Sequence, residues 1–320
     1  MTTGKPPLTV VVPVFDEADC VQALCARLVA LRERMRGEAD VELLFVDDGS
    51  RDRTLELLDA IAERHPFMKI VALSRNFGHQ LAVTAGIDHA REGWVAVIDG
   101  DLQDPPEAIA EMFRRAREGE GEGRGYDVVY GQRTRRDGES AFKRASAAAF
   151  YRLLSALCDI EIPPDAGDFR VMSARVVQHL KGMRERHRYI RGMVPWIGFR
   201  SAAFAYERDA RHAGVTKYPL RKMLQFAANA ILSFTARPLA LATRLGALAV
   251  FCGVVGALYM LYLKLFTDIP VPGVTSILIT IVFFSGIQVM LIGLLGAYVA
   301  RIFEEAKGRP LYVVARTRNL

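Results

Sequence analysis

The sequence contains little cysteine, and the cysteines follow no recognisable pattern. Its 320 residues include four, whose spacing fits neither a zinc site nor a disulfide framework: Cys20, Cys25, Cys158 and Cys252. We therefore expect buried thiols in a reducing compartment. The residues before Leu8 also lack the apolar core of a signal peptide, so we expect the N-terminal domain to stay in the cytosol.

Two common nucleotide-binding loops are absent as well. No P-loop occurs and no Gly-x-Gly-x-x-Gly follows the first predicted strand, which disfavours P-loop NTPases and dinucleotide-binding folds. The net charge of +6 and the pI of about 9.2 fit contact with nucleic acid or with anionic lipid. Because no recognised nucleic-acid-binding motif accompanies the charge, nucleic acid is not an expected partner.

One long stretch in the C-terminal third of the chain is nearly free of charge. Between residues 245 and 300, the charged side chains are Lys264 and Asp268. The uncharged runs on either side of them are each long enough to cross a hydrocarbon core, which needs about 20 residues. We predict a transmembrane hairpin within residues 241–302, with two buried core helices as the alternative. The two spans are expected at about 245–266 and 276–300.

Cationic side chains flank this hairpin on the side of the first domain: Arg237, Arg244, Arg301, Lys307 and Arg309. The positive-inside rule then predicts a multi-pass protein of the inner (plasma) membrane with both termini in the cytosol, although Lys264 opposes this. The segment 216–240 is predicted to be a basic amphipathic helix that lies in the membrane interface. A helix that faces the core of the soluble domain is the alternative. Residues 303–320 are predicted to form a cytosolic tail with a short strand near 311–314.

The first 215 residues show the alternation of an α/β domain. Apolar, β-branched runs alternate with amphipathic helical segments, which predicts a mainly parallel, doubly wound sheet. The four predicted strands cover residues 8–14, 41–46, 68–73 and 94–98. Each run ends in polar or charged residues, and the carboxyl ends of parallel strands are where ligands bind in such sheets. A ligand site along this edge is therefore expected.

Two carboxylates separated by one glycine, Asp99 and Asp101, follow the fourth predicted strand. Their mutual repulsion is relieved by a divalent cation such as Mg²⁺, which also binds substrate phosphates. A solvated acidic turn is the alternative. With Gln103 as a further oxygen ligand, the pair fits a nucleotide diphosphate donor, whose departing phosphate needs charge neutralisation. Asp47 or Asp48 would accept hydrogen bonds from the base or ribose.

The basic residues at 133–144 and 208–222 exceed what one diphosphate requires. A second anionic substrate, a lipid phosphate, would account for them. Simple contact with anionic headgroups is the alternative.

Five motifs then carry a resemblance to a known family. They are Val-Pro-Val-Phe-Asp-Glu (12–17), Asp-Asp-Gly-Ser (47–50), Ser-Arg-Asn-Phe-Gly (74–78), Asp-Gly-Asp-Leu-Gln-Asp-Pro-Pro-Glu (99–107) and Gly-Asp-Phe-Arg (167–170). Together with the hairpin they resemble the polyprenyl-phosphate branch of the family 2 glycosyltransferases, which includes bactoprenol glucosyltransferases and is related to dolichol-phosphate mannose synthases. The resemblance implies a GT-A fold, a nucleotide-sugar donor, Mg²⁺ or Mn²⁺, and inversion at the anomeric carbon. Homo-oligomers occur in the family, so a homo-oligomer is among the partners it allows.

The resemblance also implies roles for individual residues. It assigns the metal and diphosphate to Asp99, Asp101 and Gln103. It implies that the nucleotide is bound by Pro13, Phe15, Glu17, Asp47, Asp48, Arg75 and Asp99. Arg133 is expected to act at the reacting phosphate, and the acceptor phosphate is expected to contact Lys143, Arg170, Arg208, Arg211 and Lys217.

Asp168 occupies the place where members of this family that act on sugar hydroxyls carry a general base. A phosphate monoester is already largely dianionic at pH 7, because its second pKa is about 6, and needs little proton abstraction. We therefore predict that Asp168 mainly orients the acceptor phosphate, an arginine or the metal. The base role remains the alternative.

The sequence as a whole predicts an inverting transferase that moves a sugar from a nucleotide-sugar donor, with UDP-glucose as the best guess, onto undecaprenyl phosphate at the cytosolic membrane face. A processive polysaccharide synthase is the nearest rival, but Gln-x-x-Arg-Trp and further spans are missing. A non-catalytic membrane assembly subunit that retains the fold is the other.

Overall fold

A computed structural model describes residues 4–119, 125–133, 166–207, 237–266 and 273–320. The elements within these ranges, in chain order, are β1 (Pro7–Val14), α1 (Val21–Arg34), β2 (Asp40–Asp47), α2 (Thr54–Ala62), β3 (Met68–Leu73), α3 (His79–His89), β4 (Trp94–Val97), α4 (Ala108–Glu118), β5 (Val128–Arg133), β6 (Ala166–Met172), α5 (Ala174–Gly182), α6 (Ile190–Ile197), β7 (Ser201–Tyr206), α7 (Arg237–Phe266), α8 (Val274–Ala306) and β8 (Val314–Arg318).

The strands form one eight-stranded sheet in the order β7-β5-β6-β4-β1-β2-β3-β8. The four strands β4, β1, β2 and β3 are parallel to one another, as are β5 and β7. β6 runs antiparallel between β4 and β5, and β8 runs antiparallel to β3. The predicted GT-A-like, mainly parallel sheet is therefore confirmed, with the carboxyl ends of β1 to β4 at one edge.

Helices cover both faces of the central strands, which explains why those strands are continuous apolar runs. On β1, Val10, Val11 and Val12 are all fully buried although neighbouring side chains point to opposite faces. Helix α3 lies very close to the sheet at Gly86, where an added Cβ atom would lie 2.1 Å from Cγ1 of Val11. The glycine is required there by the close approach of helix and sheet.

The antiparallel direction of β6 decides where Asp168 lies. Val97, the last residue of β4, pairs with Arg170 of β6. Continuing that register by two residues brings Asp168 beside Asp99, just beyond the end of β4. Two residues 69 positions apart in the sequence thus meet at the carboxyl edge of the sheet.

The chain divides into two units, one containing the sheet and the other containing α7 and α8. Within the second unit, Ala242–Leu263 and Thr280–Ala306 are long and apolar enough to cross a membrane. Their large apolar side chains are exposed: Val250 is 68% accessible and Val282 is 71% accessible. The core-helix alternative does not agree with this exposure, because core helices bury such side chains. The predicted interfacial helix lies largely outside the described residues, although α7 already begins at Arg237.

The short strand of the tail is present but begins later than the sequence indicates. β8 starts at Val314, whereas the expectation was residues 311–314. Contacts of its polar residues fix the position of this strand. Arg316 and Arg318 form ion pairs with Asp59, and the side-chain amide of Asn319 donates to the carbonyl oxygen of Met68 at 2.9 Å. The tail therefore returns to the edge strand β3 of the first unit.

Candidate active site

The loops that follow β1 and β2 are joined by hydrogen bonds between backbone and side chains. The amide of Asp16 donates to Oγ of Ser50 at 3.0 Å, and Oδ1 of Asp16 accepts from the amide of Arg51 at 2.7 Å. The amide of Glu17 donates to Oγ1 of Thr54 at 2.9 Å. These bonds fix the two loops against each other, so the ends of β1 and β2 form one rigid wall of the site.

Asp48 fixes the loop that follows β3 to the same wall. Its Oδ1 accepts from the amide of Phe77 at 2.7 Å, and its Oδ2 accepts from the amide of Gly78 at 2.9 Å. Gly49 has a φ of +70°, and a Cβ there would lie 2.5 Å from the carbonyl carbon of Arg75. Both observations show that Asp48 and Gly49 support the loop, whatever further contact Asp48 makes with a ligand.

Asp99 has the environment of a carboxylate that lacks a counterion. Its Oδ1 atom is buried, and among the described residues it accepts no hydrogen bond; the nearest cation is Nε2 of His79 at 3.5 Å. Burial raises the pKa of Asp99; His79 opposes this, and Asp168 and other nearby carboxylates add to it. A bound cation would offset the free-energy cost of burying a carboxylate oxygen without a hydrogen-bond donor.

Asp101 completes a pair that fits a divalent metal ion. Its Oδ1 accepts from the amide of Gln103 at 3.1 Å, so the turn after β4 is held by the carboxylate itself. Asp99, Asp101 and Gln103 each offer a side-chain oxygen atom, the ligand that Mg²⁺ prefers. The residues present therefore fit Mg²⁺ or Mn²⁺, and the strongest sign of this is the buried Oδ1 of Asp99, which has no hydrogen-bond partner within the described ranges.

Asp168 is almost completely buried and is surrounded by N–H donors. Arg191 donates through Nε to Oδ1 at 3.0 Å and through Nη2 to Oδ2 at 2.9 Å. Nε2 of His79 lies 3.0 Å from Oδ2, and the side-chain amide of Gln80 donates to the same atom at 3.3 Å. Burial alone would raise the pKa of Asp168, but His79 and Arg191 outweigh it and hold that pKa well below its usual range.

The cluster of His79, Asp99 and Asp168 places three ligand-type atoms within 4.8 Å of one another. Both oxygens of Asp168 already accept bonds from Arg191, so this cluster is less suited to a metal ion than Asp99 and Asp101 are. His79 instead bridges the two carboxylates. Its pKa is lowered by burial but raised more by the hydrogen bond to Asp168 and the charge of Asp99.

Arg170 lies where it supports the backbone. The side chain is 3% accessible, and its guanidinium donates to the carbonyl oxygens of Gly167 at 2.8 Å and Asp168 at 3.3 Å, with a longer contact of 3.5 Å to Ile190. A contact with a lipid phosphate would require these bonds to break. We therefore assign Arg170 to holding β6 against the start of α6, in place of the predicted acceptor contact.

A second buried network lies next to Arg133. The hydroxyl of Tyr206 donates to Oδ1 of the fully buried Asp104 at 2.5 Å, and Arg133 is hydrogen-bonded to the same tyrosine. The ring of Tyr206 packs edge to face on Phe169 at 5.4 Å between centroids. Both rings cover Gly131, where a Cβ would lie 2.7 Å from Tyr206. The network holds Arg133 at the end of β5.

Replacing Tyr206 with phenylalanine is expected to lower the free energy of unfolding by about 1 to 3 kcal/mol, because the buried acceptor on Asp104 loses its donor. The predicted sugar transfer should fall as well, since Arg133 loses its hydrogen bond. Thermal melting and initial rates measure the two effects. Tyr312→Phe is the matched control: its hydroxyl donates to Asp88 at 2.8 Å outside the site, so it should change stability alone. Equal activity of both variants would contradict the role given to Tyr206.

Most of the predicted site residues lie at the ends of the strands as expected. Those at the carboxyl edge of the sheet are Pro13, Phe15, Glu17, Asp47, Asp48, Arg75, Asp99, Asp101, Gln103, Arg133 and Asp168. Four predicted phosphate contacts lie outside the described residues: Lys143, Arg208, Arg211 and Lys217. Sequence reasoning missed His79, Gln80, Asp104, Arg191 and Tyr206. His79 and Gln80 directly follow the motif at 74–78, and Asp104 lies inside the motif at 99–107. The positions of these three residues next to or within the motifs could therefore have identified them as site residues.

The chain is similar to known glycosyltransferases over nearly its full length. Over 312 residues the chain is 45% identical to the uncharacterized glycosyltransferase YkcC of Bacillus subtilis, covering 98% of this chain and 94% of that protein. It is 33% identical over 312 residues to the SfII prophage-derived bactoprenol glucosyl transferase of Shigella flexneri, covering 98% of each. Among solved structures, it resembles mannosyl-3-phosphoglycerate synthase from Rubrobacter xylanophilus with a TM-score of 0.46 at 19% identity, over 75% of both chains.

The family assignment covers more than half of the chain. Residues 9–181 match glycosyl transferase family 2, from β1 through the metal-type carboxylates and Asp168 to the end of α5. The relatives extend the likeness through α7 and α8 to nearly the full length. The chain belongs to glycosyl transferase family 2 and is a glycosyltransferase.

Proposed function

We propose that the protein is a metal-dependent, inverting glycosyltransferase that moves glucose from UDP-glucose to undecaprenyl phosphate at the cytosolic face of the plasma membrane. The buried Oδ1 of Asp99, which accepts no hydrogen bond from the part of the chain that the structure describes, lies beside Asp101 at the carboxyl edge of the sheet and carries this proposal. A carboxylate pair of this kind fits a divalent ion shared with a diphosphate. The bactoprenol glucosyl transferases among the full-length relatives support the choice of sugar and acceptor.

On the donor side, Asp99, Asp101 and Gln103 would hold Mg²⁺ or Mn²⁺. The bound ion would offset the negative charge that develops on the departing diphosphate. The wall formed by the loops after β1 and β2 would receive the nucleotide. The residues proposed to line it are Pro13, Phe15, Glu17, Asp47, Asp48 and Arg75.

On the acceptor side, an oxygen of the phosphate attacks the anomeric carbon while the bond to the diphosphate oxygen breaks on the opposite face, which inverts the configuration. A phosphate monoester is largely dianionic at pH 7 and therefore needs no strong base. Asp168, ionised and bound by Arg191 and His79, acts by orienting these groups. Arg133 lies at the same edge. The other proposed phosphate contacts are Lys143, Arg208, Arg211 and Lys217.

Helices α7 and α8 support the proposed membrane arrangement. Both helices are long and apolar enough to span a bilayer, and they are flanked by arginine and lysine at the ends that join the first unit. The positive-inside rule then supports a cytosolic catalytic domain of residues 1–215 and a cytosolic tail. The segment 216–240 would lie in the interface. This arrangement would anchor the catalytic domain to the membrane that carries the lipid acceptor.

The test uses full-length protein in detergent, undecaprenyl phosphate and a panel of UDP-glucose, GDP-mannose and UDP-aminosugars, each with and without EDTA. We expect one lipid product carrying a single glucose, no product with EDTA, and recovery when Mg²⁺ or Mn²⁺ is added. Lipid-linked chains of several sugars would favour the processive synthase. A protein that neither transfers nor hydrolyses any donor would favour the assembly subunit.

A further inference from the structure

We propose that Arg191 is a binding residue for the phosphate of the acceptor, held in position by Asp168. This inference rests on the proposed function, because it names the group that receives the acceptor of that reaction. The first observation is the direction of the guanidinium. Its Nε and one Nη2 hydrogen engage Asp168 at 3.0 and 2.9 Å. The opposite edge, formed by the two Nη atoms, still carries N–H donors that can bind a second anion in the same plane.

The second observation is access to solvent. The side chain of Arg191 is 30% accessible, whereas Asp168 is 2% and Arg170 is 3% accessible. Asp168 therefore lies behind Arg191 and fixes its orientation. Of the two guanidinium groups closest to Asp168, Arg191 is the one that a ligand can reach.

The third observation is the charge balance around Asp168. One carboxylate faces two guanidinium groups, Arg191 in direct contact and Arg170 with its Nη2 atom 4.0 Å away. Asp99, the other carboxylate near these groups, also acts on both guanidinium groups, but it is proposed to bind the metal. With Asp99 engaged in that way, these described residues leave positive charge in a largely buried place, where unpaired charge is costly. A phosphate on the open edge of Arg191 would balance it, and arginine binds phosphate in this planar, bidentate manner.

The fourth observation is the short distance between Asp168, which holds Arg191, and Asp99, which is proposed to bind the metal. Nε2 of His79 lies 3.0 Å from Asp168 and 3.5 Å from Asp99, and the ligand atoms of the three residues lie within 4.8 Å of one another. A phosphate held by Arg191 would thus be next to the place proposed for the diphosphate of the donor. Two phosphate groups at such short range repel each other, and a fixed cation on the acceptor side lowers that repulsion.

The experiment compares wild-type protein with Arg191→Lys, which keeps the charge but loses the planar pair of donors. Farnesyl phosphate serves as the probe, titrated calorimetrically into full-length protein in detergent with UDP and Mg²⁺, and farnesol serves as the probe without phosphate. We expect the Kd for farnesyl phosphate and the KM for undecaprenyl phosphate to rise roughly tenfold or more, as loss of a charged hydrogen bond predicts. The KM for UDP-glucose should not change, and farnesol should not distinguish the variants.

Arg114→Lys is the matched control. Arg114 is 33% accessible and pairs with Glu38 at 2.8 Å at the amino end of β2, away from the site. An Arg191→Lys variant that binds farnesyl phosphate like the wild type, or that raises the KM for the donor instead, would overturn the inference, as would a wild type that does not bind this probe. If the wild type binds the probe through Arg191 but transfers no sugar, the inference stands and the proposed function fails.

Discussion

Replacing Asp101 with asparagine is expected to lower kcat for sugar transfer by about a thousandfold, which corresponds to about 4 kcal/mol of lost transition-state stabilisation. Asparagine keeps the side-chain shape and an oxygen that can accept from the amide of Gln103, as Oδ1 of Asp101 does at 3.1 Å. It removes the negative charge that a divalent ion requires. The rate of product formation at saturating metal and substrates measures the effect.

Asp40→Asn is the matched control for this change. Asp40 is an exposed carboxylate at the first position of β2, at the opposite edge of the sheet from the site, and it pairs with Arg91 at 2.6 Å. It should leave kcat unchanged. An Asp101→Asn protein that folds and retains most of the wild-type activity would show that the carboxylate pair does not hold the metal.

Replacing Asp168 with asparagine is expected to reduce the free energy of unfolding by about 3 to 5 kcal/mol and to abolish turnover, because two arginines lose their buried counterion. Acceptor binding should weaken together with kcat, since Arg191 is no longer held. Thermal melting and calorimetric titration with farnesyl phosphate measure the two losses.

The pH dependence separates this role from general-base catalysis. His79 and Arg191 hold the pKa of Asp168 well below its usual range, so this carboxylate is ionised at neutral pH. Its contribution to stability is complete above the unfolded pKa of about 3.9 and is lost only as the pH falls below that value. The wild-type rate should therefore show no acidic limb from Asp168. Intact binding in Asp168→Asn, with a parent rate that follows a carboxylate pKa, would restore the base.

Much of the fold follows from local patterns in the sequence. The β-branched run at 8–14 and the apolar run at 68–73 coincide with β1 and β3 to within one residue, because strands buried on both faces need unbroken apolar side chains. The carboxylates after β4 could also be placed, since polar residues that end a parallel strand lie at the ligand edge. The composition of the sequence alone was enough to distinguish the apolar C-terminal helices from the first unit.

The rest of the site depends on contacts between distant residues. Nothing in the sequence near Arg191 indicates that it reaches Asp168, 23 positions earlier, because the contact is made when α6 packs beside β6. Arg170 has the charge and shape of a phosphate-binding side chain, but its low accessibility of 3% results from the packing of the chain. The antiparallel direction of β6, which brings Asp168 to Asp99, likewise has no local signature.

The most direct test of the account is the position of Mn²⁺ in crystals of the full-length protein grown with UDP, located by its anomalous scattering. We predict a peak in contact with the carboxylates of Asp99 and Asp101 and with the diphosphate of UDP, at the carboxyl end of β4. A nucleotide bound elsewhere on the sheet, or bound along this edge with the Mn²⁺ peak away from both carboxylates, would contradict it.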